Sequence, residues 1–360
     1  MTLRQVNAGW MYRMAAALLC LMSASAASFA QTEEGGEGAY ALDFLTIGVG
    51  ARAAGMGNAH TALAEDATAA YWNPAGLAGI ESRAFAAQHG DMFQQSDGFP
   101  LGRGLAQYNY LGAAMPFEGG VLSISWMRLG VDDIPRVTFI DVNGDGILGT
   151  FRDLNQNGVK DDGEAYIDDP VVAETFSNSD DAFAASYARR LTERFSAGGS
   201  LKIFRQSLFN YTGAGAGFDL GATYRISGRL KAGLTLQDMF GSRVKWNTPT
   251  RPTFVKKMNA RLGLAGQWPM GRMFEAAAAA DIHLNDSFQR SEDGGSRLHI
   301  GAELTVLKTV SFRAGLDAGD FTAGAGARVP IDGAELYADY AFMTHPDLGD
   351  AQRISLSGTF

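Results

Sequence analysis

The sequence predicts an all-β protein: a 14-stranded antiparallel transmembrane β-barrel with a small N-terminal plug, or hatch, in its lumen. Three observations lead to this fold class. The chain begins like an exported protein, no stretch after residue 30 is long and apolar enough for a membrane helix, and apolar residues alternate through many short segments from residue 82 onward. An exported chain without such helices can lie in lipid only as a closed barrel, in which neighbouring strands satisfy each other's backbone groups.

Residues 1–30 are interpreted as a signal peptide. Arg4 and Arg13 give a positive start, an apolar run extends from Met14 to Met22, and small residues near Ala30 form a cleavage site. A transmembrane anchor is the alternative, but the apolar run is about half of the ~20 residues that a span requires. We therefore expect export by a cleaved signal peptide and a location in the outer membrane of a diderm bacterium.

Composition and charge exclude some functions. Gly accounts for 45 of 360 residues, compared with about 7% in ordinary proteins. The only cysteine, Cys20, lies in the predicted signal peptide, so we expect a mature chain without disulfides or cysteine metal sites. The net charge of −9 disfavours nucleic acid as a partner.

The barrel itself is predicted for residues 82–360. The clearest strand runs from Val255 to Trp268, with Leu262 and Leu264 on one face and Asn259 and Arg261 on the other. Such alternation is the pattern of a strand with an apolar and a polar side. Fourteen strands are predicted, near 82–90, 104–116, 119–130, 181–192, 195–207, 212–226, 229–239, 255–268, 273–285, 296–306, 309–318, 320–329, 334–344 and 351–360.

The connections support an even strand number. Tight turns alternate with longer loops, so the tight turns fall on the periplasmic side and the longer loops outside, as in bacterial outer-membrane barrels. Two of the outer connections, near 208–211 and 318–320, are short, and there the strand count could differ by two. The longer loops are predicted at 91–103, 131–180, 240–254 and 286–295. The last strand ends at Phe360, and its terminal aromatic resembles the signal read by the barrel-assembly machinery, which we expect as a partner.

Residues 31–81 are predicted to form a periplasmic segment and the lumen plug. The segment is dense in Gly and Ala, which let backbone approach backbone inside a lumen. A helix is expected over Ala59–Ala70, and the proline at 74 would end it. The spacing Gly48-x-Gly50-x-x-Ala53 could suggest dinucleotide binding, but the strand–helix–strand context is absent. The motif residues of the plug are predicted to be Gly55, Gly57, Trp72, Asn73, Pro74, Ala75 and Gly76.

Two stretches carry a family resemblance. The run Phe44–Met56 and the motif Trp72-Asn73-Pro74-Ala75-Gly76-Leu77 resemble the N-terminal signature of the PorV/PorQ family, a branch of the FadL-like outer-membrane barrels. Over the rest of the chain the agreement is in architecture and not in motif. The resemblance implies a fourteen-stranded barrel with a hatch. It also implies one of two roles, inward passage of hydrophobic molecules or handling of exported proteins in type IX secretion.

The predicted loop 131–180 carries two calcium-binding patterns. From Asp153 to Glu164, oxygen side chains occupy positions 1, 3, 5, 9 and 12, with Gly at position 6. A second copy opens at Asp141, but its twelfth residue is Arg152, which cannot bind a cation. The predicted calcium ligands are Asp141, Asn143, Asp145, Asp153, Asn155, Asn157, Val159, Asp161 and Glu164.

The alternative for this loop is an acidic, solvated segment without metal. The loop contains twelve acidic and three basic residues, a net charge of −9 that equals the charge of the whole chain. Such a concentration would repel itself unless a cation neutralised it. We therefore expect one or two bound calcium ions.

No enzymatic activity is expected, because the five histidines lack metal-ligand spacing and no Gly-x-Ser-x-Gly motif occurs. Three functions stay open: a plug-gated channel for hydrophobic small molecules, a secretion or surface-attachment component that holds secreted proteins, and a structural barrel that displays a calcium-stiffened loop. Outer-membrane lipid is an expected partner of all three. The sequence does not choose between them.

Overall fold

The computed structural model describes residues 42–94, 105–154, 160, 166–284, 297–344 and 349–360. The predicted signal peptide and the first eleven residues after it lie outside the described residues. In the described part of the chain, no helix is long and apolar enough to cross a membrane.

Sixteen strands form one antiparallel sheet in the described residues. They are β1 Ala84–Gln94, β2 Ala106–Phe117, β3 Gly120–Ile140, β4 Asp169–Arg190, β5 Phe195–Leu208, β6 Tyr211–Arg225, β7 Leu230–Gln237, β8 Ser242–Trp246, β9 Thr253–Lys256, β10 Asn259–Met270, β11 Phe274–Leu284, β12 Arg297–Val306, β13 Val310–Asp317, β14 Asp320–Ile331, β15 Ala334–Met343 and β16 Asp350–Thr359.

Fourteen of these strands close into a barrel, which confirms the predicted fold class. Strands β1 to β7 follow one another, β7 pairs with β10, and β10 to β16 complete the circuit. Strand β1 pairs with β2 on one side and with β16 on the other, and Arg83 and Phe360 exchange two backbone hydrogen bonds beside this seam. Every predicted barrel strand has a counterpart in the structure.

The barrel has two unlike ends. At one end, here called the turn end, short turns connect β2 to β3, β4 to β5, β6 to β7, β10 to β11, β12 to β13 and β14 to β15. The opposite end, here called the loop end, carries the longer connections and two short ones, β5 to β6 and β13 to β14. Among the longer connections is the short hairpin β8–β9, which extends the sheet beside the loop end of β6 and was not predicted.

Alternation along each strand separates an apolar outer face from a polar inner one. On β10, Leu262 and Leu264 point outward and are 45% and 50% exposed, whereas Asn259 and Arg261 point inward and are buried. Exposed leucine, isoleucine and phenylalanine side chains follow the same rule on β11, β12, β13 and β16. An apolar outer face with a polar interior is the pattern of a barrel surrounded by lipid.

One predicted boundary was wrong. Residues 131–180 were expected to be a loop, but β3 continues to Ile140 and β4 begins at Asp169. Their pairing shifts register at Val131/Ile134 and again at Arg136/Val137. Beyond the barrel rim both faces of this hairpin meet water, so no apolar alternation remains in the sequence to reveal the strands.

Candidate functional site in the barrel lumen

Residues 42–80 lie inside the barrel and form the plug, named here for that range. Four short helical turns, at Asp43–Thr46, Ala51–Gly55, Ala69–Trp72 and Pro74–Gly79, are joined by tight bends. The helix expected over Ala59–Ala70 is absent apart from its last two residues. The amides of His60 and Thr61 bind the Asp281 side chain of the wall, and the other backbone bonds of this stretch form single turns at His60 and Asp66, so wall contacts override helix propensity.

Tyr71 and Trp72 fasten the second half of the plug to its first half. The Tyr71 hydroxyl donates to the Leu45 carbonyl at 2.7 Å and accepts from the Gly48 amide at 3.0 Å. The Trp72 indole N–H donates to the Val49 carbonyl at 2.8 Å. Both side chains are buried, with their polar atoms paired, as large amphipathic rings require.

Asn73 explains why the predicted motif contains asparagine followed by proline. Its amide nitrogen donates to the carbonyls of Thr61 and Ala222 at 3.0 and 3.1 Å, and its side-chain oxygen accepts from the Ala75 amide at 3.1 Å. It therefore caps the turn that begins at Pro74 and also joins that turn to strand β6. A Cβ added at Gly76 would lie 2.0 Å from the Ala64 carbonyl oxygen, so no larger residue fits there.

Gly57 is the tightest point between plug and wall. Its φ of +62° is a conformation that residues with a side chain adopt at a cost. A Cβ there would meet the carbonyl oxygens of Leu316 and Ile300 at 2.5 and 2.7 Å. Gly55 likewise faces Gly324, with 3.1 Å between its added Cβ and the Gly324 Cα. Both motif glycines are therefore required by the approach of two backbones.

The wall supplies matching glycines that the sequence analysis missed. A Cβ at Gly301 would lie 2.3 Å from the Met56 carbonyl oxygen, one at Gly233 would lie 2.5 Å from the Thr61 oxygen, and one at Gly198 would lie 2.6 Å from the Pro74 carbonyl carbon. The excess of glycine in the composition was their only signal. Each is an inward position where the plug backbone touches the sheet.

Charged and polar wall side chains bind the plug backbone. The Arg353 guanidinium donates to the carbonyls of Ile47 and Gly48, each at 3.0 Å. The Asp281 carboxylate accepts from the backbone amides of His60 and Thr61 at 2.9 and 2.8 Å. These two wall residues fix separate bends of the plug, and both are fully buried.

Ion pairs connect the plug to both ends of the lumen. Arg52 binds Glu303 at 2.7 Å, and Glu303 also binds Arg313 of the neighbouring strand at 2.5 Å. Toward the loop end, Asp43 of the plug binds Lys256 at 3.1 Å. Buried charges at such positions are stable only when paired, so each plug carboxylate or guanidinium depends on its wall partner.

A buried charge cluster occupies the break between β7 and β8. Lys202 of β5 binds Asp219 and Asp238, each at 2.7 Å, and the Asp219 carboxylate accepts from the Asp238 amide at 2.8 Å. Backbone pairing with β6 is interrupted at this height, between Leu220↔Leu236 and Ala216↔Arg243. The cluster therefore joins β5, β6 and the end of β7 across this gap, where the Met239 amide also donates to the Phe218 carbonyl at 2.9 Å.

The histidines do not assemble a metal centre in the described residues. His283 and His299 stack at 3.9 Å, and the His299 Nδ1 lies 2.8 Å from Asp317 and 3.1 Å from the Gly57 carbonyl. Within the described ranges, no group of three or more histidine, cysteine, aspartate or glutamate side chains is arranged to hold a metal ion.

The predicted calcium ligands are described only in part. Asn155, Asn157, Val159, Asp161 and Glu164 lie outside the described residues, and Asp153 is the last predicted ligand before them. In the first copy, the Asp141 carboxylate accepts from the amides of Gly144 and Gly146 at 2.6 and 2.8 Å. The Asn143 oxygen accepts from the Asp145 amide at 3.0 Å, so these three side chains shape one tight turn.

Asp168 closes the base of this turn, and sequence reasoning did not find its role. Its carboxylate accepts from the amides of Val142 and Thr150 at 3.1 and 2.9 Å, joining residues that are 26 and 18 positions away. Burial raises the pKa of Asp168, but these amide donors outweigh burial and lower the pKa overall. Residues 141–168 are called the acidic tip from here on.

The chain is similar in fold to solved outer-membrane channels. The Ralstonia pickettii toluene transporter TbuX superposes with a TM-score of 0.53 at 12% identity, over 86% of this chain and 97% of that one. The Pseudomonas putida toluene transporter TodX gives a TM-score of 0.52 at 12% identity, over 87% and 99%. A FadL homologue of Pseudomonas aeruginosa gives 0.51 at 15% identity, over 87% and 98%. No family model and no curated protein matches the sequence.

Proposed function

We propose that this chain is a FadL-like outer-membrane channel for hydrophobic small molecules, opened by movement of the plug. One observation carries the proposal: a closed, lipid-facing barrel is filled by a segment of its own chain that is attached by hydrogen bonds and ion pairs and by no disulfide. Such contacts can break and form again without altering the barrel. The fold shared with two toluene transporters supports the hydrophobic class of cargo.

The proposal places the loop end outside the cell and the turn end in the periplasm, as barrels with short periplasmic turns are oriented. It needs no catalytic group. Kinship with the PorV/PorQ family, which the motif Trp72–Leu77 suggests, is compatible with this orientation.

A disulfide lock tests whether the plug must move. The Ala51 amide donates to the Ser355 hydroxyl at 3.2 Å, and the chain has no cysteine outside its predicted signal peptide. In the variant A51C/S355C, oxidation should stop uptake of radiolabelled toluene and oleate by diderm cells that lack other hydrophobic channels. Reduction should restore uptake, and uptake by the two single-cysteine variants should be the same under oxidising and reducing conditions.

Two results would contradict the proposal. Equal uptake by the oxidised and reduced protein, with the cross-link verified by mass spectrometry, would show that the plug does not gate. Uptake no higher than in cells without the protein, for both probes, would overturn the transport role itself.

A second candidate function is the holding of secreted proteins. The extended β3–β4 hairpin favours it, because Val137, Ile140 and Val172 are 52%, 54% and 60% exposed beyond the barrel. Exposed apolar residues rimmed by charge are typical of protein contact sites. A pull-down of secreted proteins by the whole barrel, lost in the variant V137S/I140S/V172S, would support this role over transport.

A further inference from the structure

On the barrel strands that the structure describes, the outward-facing cations near the loop end lie in one sector. Arg128 on β3, Arg205 on β5, and Arg243 and Lys245 on β8 alternate with inward residues and point away from the lumen. These four residues are called the basic strip. On the described outward positions of β10 to β16, β1 and β2, the loop-end half of the barrel carries no lysine or arginine.

Strand register makes the basic strip continuous. Arg128 and Arg205 both stand opposite Asp181, on either side of β4. Arg205 and Lys245 both stand opposite Ala214 of β6. Neighbouring strands lie about 4.8 Å apart, so Arg128, Arg205 and Lys245 follow one another at about 10 Å, and Arg243 lies about 7 Å from Lys245 along β8. A group of phosphate size fits between two such side chains.

For these cations no partner occurs among the residues that the structure describes. None of the four makes an ion pair or a side-chain hydrogen bond with another residue that the structure describes. The one carboxylate among them, Asp181, accepts instead from the Trp126 indole N–H at 2.9 Å. Four positive charges therefore face outward with their hydrogen-bonding capacity unused.

The residues above and below the basic strip mark a boundary between polar and apolar surroundings. Toward the turn end, the next opposed row runs from Trp126 through Phe183 and Ile203 and ends, beyond Ala216, at Arg243 of the strip itself. Phe183 and Ile203 in this row are 48% and 56% exposed, so the row is apolar apart from Arg243. Toward the loop end, the next row contains the hydroxyls of Ser179, Ser207 and Thr212. Tryptophan beside cations above an apolar belt is the arrangement found where a barrel passes through lipid headgroups.

We propose that the basic strip is a binding site for the phosphate groups of an anionic membrane lipid. Guanidinium groups bind phosphate through paired N–H donors, and the three arginines supply most of the strip. The apolar row beneath would contact the acyl chains of the same molecule, and the hydroxyl row above would contact its outer headgroup. The proposal does not depend on transport, because it concerns the outer face and not the lumen.

Native mass spectrometry of the full-length barrel tests the proposal with two lipids of equal acyl chains. Phosphatidylglycerol is the anionic probe and phosphatidylcholine is its zwitterionic counterpart. A cation near an anionic lipid contributes about 1 kcal/mol, or about fivefold in affinity. The wild-type barrel should therefore retain phosphatidylglycerol at least about fivefold better, and R128Q/R205Q/R243Q/K245Q should lose the preference.

The matched control is R189Q/R229Q/R272Q/K308Q, which removes the same charge from exposed turn-end positions. It should keep the preference for phosphatidylglycerol. Heat-modifiable migration on gels checks that each variant is a folded barrel. If the quadruple variant does not assemble, the single variants R128Q and R205Q replace it, and each should bind phosphatidylglycerol about fivefold more weakly than the wild type.

Three outcomes would overturn the proposal. The basic-strip variant could retain the lipid preference, or the turn-end control could lose it to the same extent, which would make net charge the cause. In the third, inorganic phosphate at constant ionic strength would displace the lipid from the wild-type barrel, which would assign the strip to free phosphate.

Discussion

The plug and the acidic tip are built from similar residues but depend on different neighbours. Both are rich in glycine, and in both carboxylates and amides bind backbone N–H groups. In the plug these bonds reach distant wall residues, such as the 306 positions between Ile47 and Arg353. In the tip the backbone N–H bonds of Asp141, Asp145 and Asp168 stay local, and the bond between Val142 and Asp168 spans 26 positions. The plug therefore has a structure only because the barrel completes it, whereas the carboxylates of Asp141 and Asp168 close the described part of the tip.

Deleting each region in turn is the strongest test of this difference. Removal of residues 42–80 should leave an assembled barrel, since the closed sheet satisfies its own backbone, but should raise single-channel conductance in planar bilayers from near zero to a stable open level. Replacing residues 141–168 by Asn-Gly should leave conductance unchanged, because the tip lies beyond the barrel rim and the bonds of Asp141 and Asp168 join tip residues to each other.

Conductance that stays unchanged after plug deletion, in a barrel with normal heat-modifiable migration, would mean that residues 42–80 do not block the lumen. The Trp72 indole gives an independent reading. It is 1% exposed in the intact protein and should resist an aqueous fluorescence quencher.

The same glycine substitution should have unequal effects in the two regions. Gly57 and Gly144 both have positive φ, +62° and +72°. An alanine in this conformation costs about 1 kcal/mol. At Gly57 the new Cβ also meets two wall carbonyls, whereas at Gly144 nothing lies within 4 Å. We expect G57A to destabilise the plugged barrel by about 3 kcal/mol in total.

Thermal unfolding followed by gel migration measures both variants. G144A should lower the transition of the barrel by little or nothing, because its strain stays in the tip. G228A is the control for a turn glycine with open space and without positive φ. If G57A and G144A shift the transition equally, wall contact does not distinguish the two regions.

Strand alternation was enough to predict the barrel. The contacts between the plug and the wall could not be predicted from alternation. Alternation with a period of two is enough to assign Leu262 to the lipid face and Arg261 to the lumen face, since lipid and lumen favour opposite polarity. The partners of Gly57 are backbone atoms more than 240 positions away, and no local pattern marks them. The hairpin beyond residue 131 was missed for the related reason that water on both faces removes the alternation.

The motif Trp72–Gly76 was predicted to belong to the plug, and the geometry explains each residue type. What could not be predicted was the wall side of the contact. Asp281 and Arg353 lie in ordinary strands, where the sequence pattern predicts only that an inward charged residue faces the polar lumen. Their role becomes visible when the sheet places them beside plug backbone.

A carboxylate that bridges two backbone amides occurs in both regions, so it allows a smaller, matched test. D281N should weaken the bonds to His60 and Thr61, because charge-assisted bonds are about twice as strong as neutral ones. We expect about 1–2 kcal/mol less protection of these amides in hydrogen exchange. D168N should affect only the amides of Val142 and Thr150.

The pH dependence of the tip follows from Asp168. Because its pKa is lowered below the ordinary 3.8, the bonds it makes are fully present above that value and are lost as pH falls through the lower folded pKa. Protection of Val142 and Thr150 should therefore persist to pH values below 3.8 and should be independent of pH near neutrality. Loss of protection in the plug after D168N would contradict the separation of the two regions.

Calcium should produce the smallest effect, and only in the tip. Asp141, Asn143 and Asp145 hold positions 1, 3 and 5 of the first predicted loop, with their oxygens turned toward one bend. Each carboxylate accepts about four hydrogen bonds or ligands in total, so the amide bonds already present leave lone pairs for a cation. Extracellular loops of this type bind calcium at ~10⁻⁴–10⁻³ M.

Calorimetry on the whole barrel should detect such binding, and D153A/E164A should abolish it at the second predicted loop. The matched control D132A/D169A removes two acids of the same hairpin outside the predicted ligands, so it should bind as the wild type does. An equal loss of binding in both double variants would mean that calcium responds to the charge of the hairpin and not to a site. A barrel that ignores calcium altogether would leave the tip as a turn stabilised by its own amides, and the contrast with the plug would then be one of backbone contacts alone.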